Sequence, residues 1–180
     1  TRMAANAGLE ALGVDPAGAQ LRTARGRGGP NYAQASATRL PVASHSVDVA
    51  VACLVFEHIT EFRAALVEVA RVLAPGGRFL LLLNHPLLQT PDSGWIDDHV
   101  LDPPEQYWRI GPYLTEAETA EQVEEGVWIT FHHRPLSAYL NCAIEAGLVL
   151  ERMDEPAPPP GFVARAPEYG QVTTIPRLLA

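Results

Sequence analysis

Cysteine is scarce, basic side chains are outnumbered and no apolar run is long in this 180-residue chain. Without ~20 consecutive apolar residues there is no bilayer span, so a membrane is not among the expected partners. Thirteen basic against twenty-one acidic side chains leave a formal charge of −8, which argues against general affinity for nucleic acid or anionic lipid. Only two cysteines, Cys53 in an apolar strand pattern and Cys142 in a helical one, read as reduced, buried thiols of a cytoplasmic protein. A signal-peptide pattern is also missing. The chain begins at Thr1 in what looks like the tail of a helix and stops inside an apolar run at residues 175–180. It therefore reads as a fragment, or as a chain whose N-terminus lies upstream. Its 47% hydrophobic and 19% charged residues are those of a globular protein, long enough for one domain with a core.

Residues 46–86 organise the rest. Residues 47–55 and 79–83 are almost unbroken apolar runs, the pattern of strands covered on both faces. Between them Phe62, Leu66, Val69, Ala70 and Leu73 recur at helical spacing, with Arg63, Glu68 and Arg71 off the stripe. Pro75-Gly76-Gly77 is expected to stop that helix. Two buried strands joined by a helix make a right-handed crossover, hence a parallel sheet and an α/β fold.

Upstream, residues 9–14 form a short strand, and Asp15 and Pro16 suit the cap and first position of a helix over residues 17–25. The glycine-rich segment 26–30 leads to a strand near residues 31–35. Downstream, Pro86, Pro91, Pro103, Pro104 and Pro112 forbid long regular elements across residues 84–126, while Trp95, Tyr107, Trp108 and Tyr113 give it aromatic surface. Such a segment is a lid or binding wall, or else a packed surface excursion. Its glutamate-rich end, residues 115–125, suits a solvated acidic helix. Residues 127–131 read as a strand, and Ser137 as the cap of a helix that runs to Ala146 and closes on Gly147. Residues 148–153 read as a strand, 154–167 as proline-rich connection, and 175 onward as a final strand.

In doubly wound sheets, ligands bind beyond the carboxyl ends of the strands. That singles out Asp15, Ser36 with Ala37, residues 53–58 and residues 84–86. A carboxylate at such an end accepts both hydroxyls of a ribose; it also suits a helix cap, and one side chain can do both.

The segments VDPAGAQLRTAR, ASATRLP, SVDVAVACLVFEHI and ARVLAPGGRFLLLLNHP, in this order and spacing, resemble class I S-adenosylmethionine-dependent methyltransferases over residues 9–85. HRPLSAYLNCAIEAGLVLERMDEP resembles the later helix and strand of their small-molecule branch. The resemblance implies a Rossmann-like, doubly wound, mostly parallel sheet of order 3-2-1-4-5-7-6, with strand 7 antiparallel. Residues 1–180 would be one methyltransferase domain, incomplete at its N-terminus, with residues 84–126 as a lid-like insertion. Strand 1 and its glycine-rich loop belong ~20 residues ahead of Asp15, before Thr1. Losing that strand removes on the order of 10 kcal/mol of burial, so the chain alone is expected to be marginal and to bind cofactor poorly.

The same resemblance implies S-adenosylmethionine as cofactor. Asp15, with Pro16 beside it, would take the ribose hydroxyls; Ala37, through its N–H, would meet the adenine. Ser36 stands where the family usually has an acid for the adenine amino group, and its hydroxyl is the weaker, uncharged acceptor. Ala52 and Cys53 would line the methionine part, with His58 nearby. The activity implied is methyl transfer to a small-molecule acceptor, with a general base required only where the acceptor must lose a proton. His85 and His133 are the candidate bases, each equally suited to a structural role. His132 and His133, adjacent on a strand, point to opposite faces, so no metal is expected there. Two rivals share the architecture: an NAD-dependent dehydrogenase and a degenerate partner subunit. The EHI segment and the long excursion fit a methyltransferase better than a dehydrogenase.

Overall fold

A computed structural model of the chain describes residues 1–167, 170 and 174–180. The chain packs as two compact units, Thr1–Ala50 with Glu61–Phe79, and Val51–Thr60 with Leu80–Ala180.

The first unit opens with helix α1 (Arg2–Asn6), strand β1 (Leu12–Asp15), helix α2 (Gly18–Gly26) and strand β2 (Asn31–Gln34). β1 and β2 pair in parallel, Leu12 opposite Asn31 and Asp15 opposite Gln34, with α2 as the crossover. The helix starts later than expected. Ala17 occupies its N-cap position, and Asp15 Oδ1 accepts the Ala17 N–H at 2.7 Å, so the carboxylate fastens the turn before the helix. Pro16 therefore precedes the cap and is not the first helical residue.

β3 (Val47–Cys53), α3 (Phe62–Val72) and β4 (Leu73–Asn84) realise the organising stretch. Gly77 lies against the Asp48 carbonyl, and Leu54 N–H donates to Leu82 O at 2.8 Å. The paired positions rise together along both strands, so they run parallel. α3 buries Phe62, Ala65, Leu66, Val69 and Val72, the i, i+3, i+4 stripe of an amphipathic helix. Ala70 is only half-buried, and Leu73 is buried as the first residue of β4 instead of the last of the helix. The helix thus stops ahead of Pro75, whose ring disfavours helical backbone at Ala74.

β3 departs from expectation. Its burial alternates weakly, and Val49 and Val51 are 52% and 67% exposed. The strand order β3-β4-β9 places it at a sheet edge, without the cover on both faces that its apolar run suggested. Cys53 is accordingly exposed, not buried; Cys142 is buried, and both are free thiols.

In the second unit, β9 (Leu178–Leu179) pairs antiparallel with the end of β4, Leu179 opposite Leu83. Asp154 and Ala180 exchange backbone hydrogen bonds at 2.8 and 2.9 Å. The pieces β2-β1 and β3-β4-β9 follow the expected runs 3-2 and 4-5-7, the last strand antiparallel. Ahead of Asp154, the strand expected over residues 148–153 does not form; Val149 is 85% exposed. The proline-rich excursion is more regular than anticipated. β5 (Gly94–Asp98) and β6 (Glu105–Arg109) form a hairpin, as do β7 (Ala117–Glu124) and β8 (Val127–His133). Every proline of the segment lies outside these strands, where no ladder N–H is needed. The acidic helix over residues 115–125 is replaced by β7: the β-forming run after Gly126 supplies a partner strand, and Gly126 takes the turn at φ +73°. Helix α4 (Leu136–Glu145) has Pro135, not Ser137, at its cap position and closes on Gly147 at φ +88°. A single helical turn, α5 (Pro160–Val163), follows. No helix among the described residues is long and apolar enough to cross a membrane.

Candidate functional site

The rim of β1 and β2 carries the first group of nominated residues. Asp15 ends β1 half-buried; one carboxylate oxygen is committed to Ala17 N–H, and Oδ2 has no partner among the described residues. Ala35 N–H donates to Asp15 O at 3.3 Å and Gln34 Nε2 to Pro16 O at 2.9 Å, fixing the two strand ends side by side. An acceptor-only oxygen left open at a strand end is the acceptor that a ribose hydroxyl requires. Ser36 Oγ is turned into its own loop, 2.8 Å from Thr38 Oγ1 and accepting Thr38 N–H at 3.2 Å. Ala37 beside it is half-buried.

The second unit carries the others. Ala52 and Cys53 end β3, and Leu54 follows at φ +53°, a left-handed conformation rare for a bulky side chain. A 3-10 turn, Phe56–His58, comes next. His58 Nδ1 lies 2.9 Å from Thr130 O, and the ring meets Phe131 edge-on at 4.4 Å. A carbonyl only accepts, so Nδ1 carries the proton and Nε2 is the bare nitrogen. Glu57, 3% exposed, accepts from Asn84 Nδ2 at 2.9 Å through Oε1, while its Oε2 is buried without a partner.

The two candidate bases differ. His85 uses both ring nitrogens: Nδ1 accepts Leu87 N–H at 3.1 Å, and Nε2 donates to Glu155 Oε1 at 2.8 Å. His133, 3% exposed, donates from Nε2 to Tyr113 O at 2.8 Å, and its Nδ1 is buried with no partner. That tautomer leaves a bare acceptor lone pair on Nδ1, a position that costs about 1–3 kcal/mol while unmet. His132 points elsewhere, to Thr60 Oγ1 at 3.1 Å and Glu118 Oε2 at 3.6 Å. Burial, then the Arg134 charge, holds the His132 pKa below its ordinary value, with Glu118 opposing and His58 adding to the fall. Among the described residues, no three histidine, cysteine or acidic side chains are grouped to hold a metal ion.

Arg134 was not singled out by sequence. At 4% exposure it donates to the carbonyls of Phe56 (3.2 Å), Ile59 (2.8 Å) and Thr60 (3.2 Å), and reaches Tyr139 Oη at 3.5 Å. Burial raises the Tyr139 pKa, and the guanidinium opposes that rise. The available signal was a lone cation between a β-forming run and the apolar α4. An open concavity of about 590 Å³ beside α1 and residues 27–29 contains none of the nominated residues.

Residues 1–81 match the family model of the methyltransferase domain. No curated protein matches. An S-adenosylmethionine-dependent methyltransferase from Mesorhizobium loti superposes with TM-score 0.76 at 27% identity, over 93% of this chain and 76% of that one. A protein from Listeria monocytogenes assigned to the same activity gives TM-score 0.81 at 21% identity, over 99% and 81%. One from Methanosarcina mazei gives 0.60 at 16%, over 82% and 73%, and like the Listeria protein it supports the fold alone. The first 81 residues thus match a methyltransferase domain, and the chain as a whole is similar to S-adenosylmethionine-dependent methyltransferases and has their fold.

Proposed function

We propose that the chain methylates a small-molecule acceptor and that His133 takes the acceptor's proton through Nδ1. The observation that carries this reading is the buried imidazole whose one nitrogen is tied to Tyr113 O while the other is bare. Bound, the cofactor supplies a methyl group on an electron-poor sulfonium. Asp15 Oδ2 would accept from its ribose, Ser36 and the Ala37 N–H would meet the adenine once Ser36 Oγ gives up Thr38, and Ala52, Cys53 and His58 would line the methionine portion. His133 removes the acceptor proton where the acceptor has one to lose, a contribution typically of 10²–10⁴-fold. His85, with both nitrogens occupied, fastens the end of β4 to Glu155. The β5–β6 hairpin, where Trp95 and Trp108 meet edge-on at 5.4 Å, supports a lid or aromatic wall for a flat acceptor within residues 84–126. Two free thiols fit a cytoplasmic setting.

The test uses methyl-labelled S-adenosylmethionine with a panel of small phenols, carboxylates and amines. His133→Gln keeps a donor for Tyr113 O and removes the base. Transfer to the best acceptor is expected to fall at least 100-fold with S-adenosylhomocysteine binding unchanged. Unchanged transfer would remove the base assignment, and tighter binding of NAD than of S-adenosylhomocysteine would replace methyl transfer by the dehydrogenase reading.

A further inference from the structure

We propose that Arg134 is a positioning residue for the methionine half of the cofactor, holding residues 54–60 in a single conformation; this rests on the methyl-transfer reading above. The segment starts from a left-handed Leu54 at φ +53°. Backbone of that kind persists only where the surroundings over-determine it. Here the ties are dense. Leu54 N–H donates to Leu82 O, Glu57 holds Asn84, His58 holds Thr130 O, and Thr60 meets His132. Three further ties converge on one guanidinium, which draws the carbonyls of Phe56, Ile59 and Thr60 onto itself and so closes the turn. A planar fork with several fixed donors can serve three carbonyls at once, whereas an ammonium is a single point of charge. The held segment contains His58 and continues directly from Ala52 and Cys53. Its shape therefore sets where those groups stand, although Arg134 itself comes from the far end of β8.

Arg134→Lys separates positioning from general stability when two probes are compared by calorimetry on the full chain. S-adenosylhomocysteine carries the amino-acid tail, and 5′-methylthioadenosine lacks it. The expected result is a Kd for S-adenosylhomocysteine at least tenfold weaker, with methylthioadenosine moving less than twofold. Equal losses for both probes, or no loss for either, would overturn the proposal. Wild-type chain that binds methylthioadenosine and S-adenosylhomocysteine no more tightly than NAD would overturn the cofactor reading instead, and the proposal with it. Hydrogen exchange on the wild-type chain gives an answer even if the variant does not fold. The amides of Leu54, His58 and Ile59 should already be protected without ligand, and rapid exchange there would refute a preformed segment.

Discussion

Arg71 and Arg134 perform the same task in different surroundings. In the first unit, Arg71 donates to the carbonyls of Leu40 and Val42 while pairing with Glu68 at 2.7 Å, and about a third of its side chain is exposed. Glu68 also accepts Leu40 N–H, so one helical ion pair pins the turn that leads to β3. In the second unit, Arg134 gathers Phe56, Ile59 and Thr60 from a buried position. Water can replace the outer clamp, at little cost, and salt screens it. The inner one has no such substitute, because carbonyls stripped of their donor inside a fold remain unmet. The lesson is that the same fork geometry makes a dispensable staple outside and a structural necessity inside.

The largest effect should therefore come from Arg134→Met. Urea unfolding is expected to show a loss of roughly 3–5 kcal/mol, and a loss below about 1 kcal/mol would erase the distinction between the clamps. Asp15→Asn should show the opposite signature. Asparagine still accepts Ala17 N–H, so the melting temperature should hardly move. S-adenosylhomocysteine affinity should drop about tenfold as the charge-assisted bonds to the ribose go. An unchanged Kd would reduce Asp15 to a turn-fastening residue. A smaller effect should follow pH. The folded-state pKa of His132 lies below its ordinary value of about 6.5, so the unfolded chain binds more protons in the interval below that value. Stability should fall as pH drops from 7 through 6.5, and His132→Asn should flatten that slope. Arg71→Ala should matter least, with a melting shift of a few degrees at low salt that shrinks in 1 M NaCl.

The same contrast explains which parts of the molecule sequence reading reaches. α3 and its flanking strands declare themselves through local spacing, and the parallel crossover follows from them. Asp15 draws notice because it closes a strand, a place that suits a ribose-binding carboxylate and a turn-fastening one alike, and its contact with Ala17 N–H shows the second use. β7 was misread because its glutamates describe solvent exposure, whereas its conformation comes from β8, which follows it through Gly126. Cys53 was misplaced because an apolar run does not reveal which sheet edges stay open. The Arg134 network joins residues more than seventy positions apart, and no periodicity encodes that. Nor does the pattern distinguish His85 from His133; only the count of occupied ring nitrogens does.

The base of the β5–β6 hairpin is stapled shut. Gly111 N–H donates to Thr90 Oγ1 at 3.1 Å and Ser93 Oγ at 2.9 Å, while Arg109 grips Asp92 O. A side chain at Gly111 would collide with Pro91 O, so this junction admits no alternative residue. The staple fixes where the hairpin leaves the chain, and beyond it Trp95 and Trp108 pack edge-on across the two strands. Under the proposed function, the hairpin would be the part that meets the acceptor, held apart from the contact between Tyr113 O and His133 by its own staple.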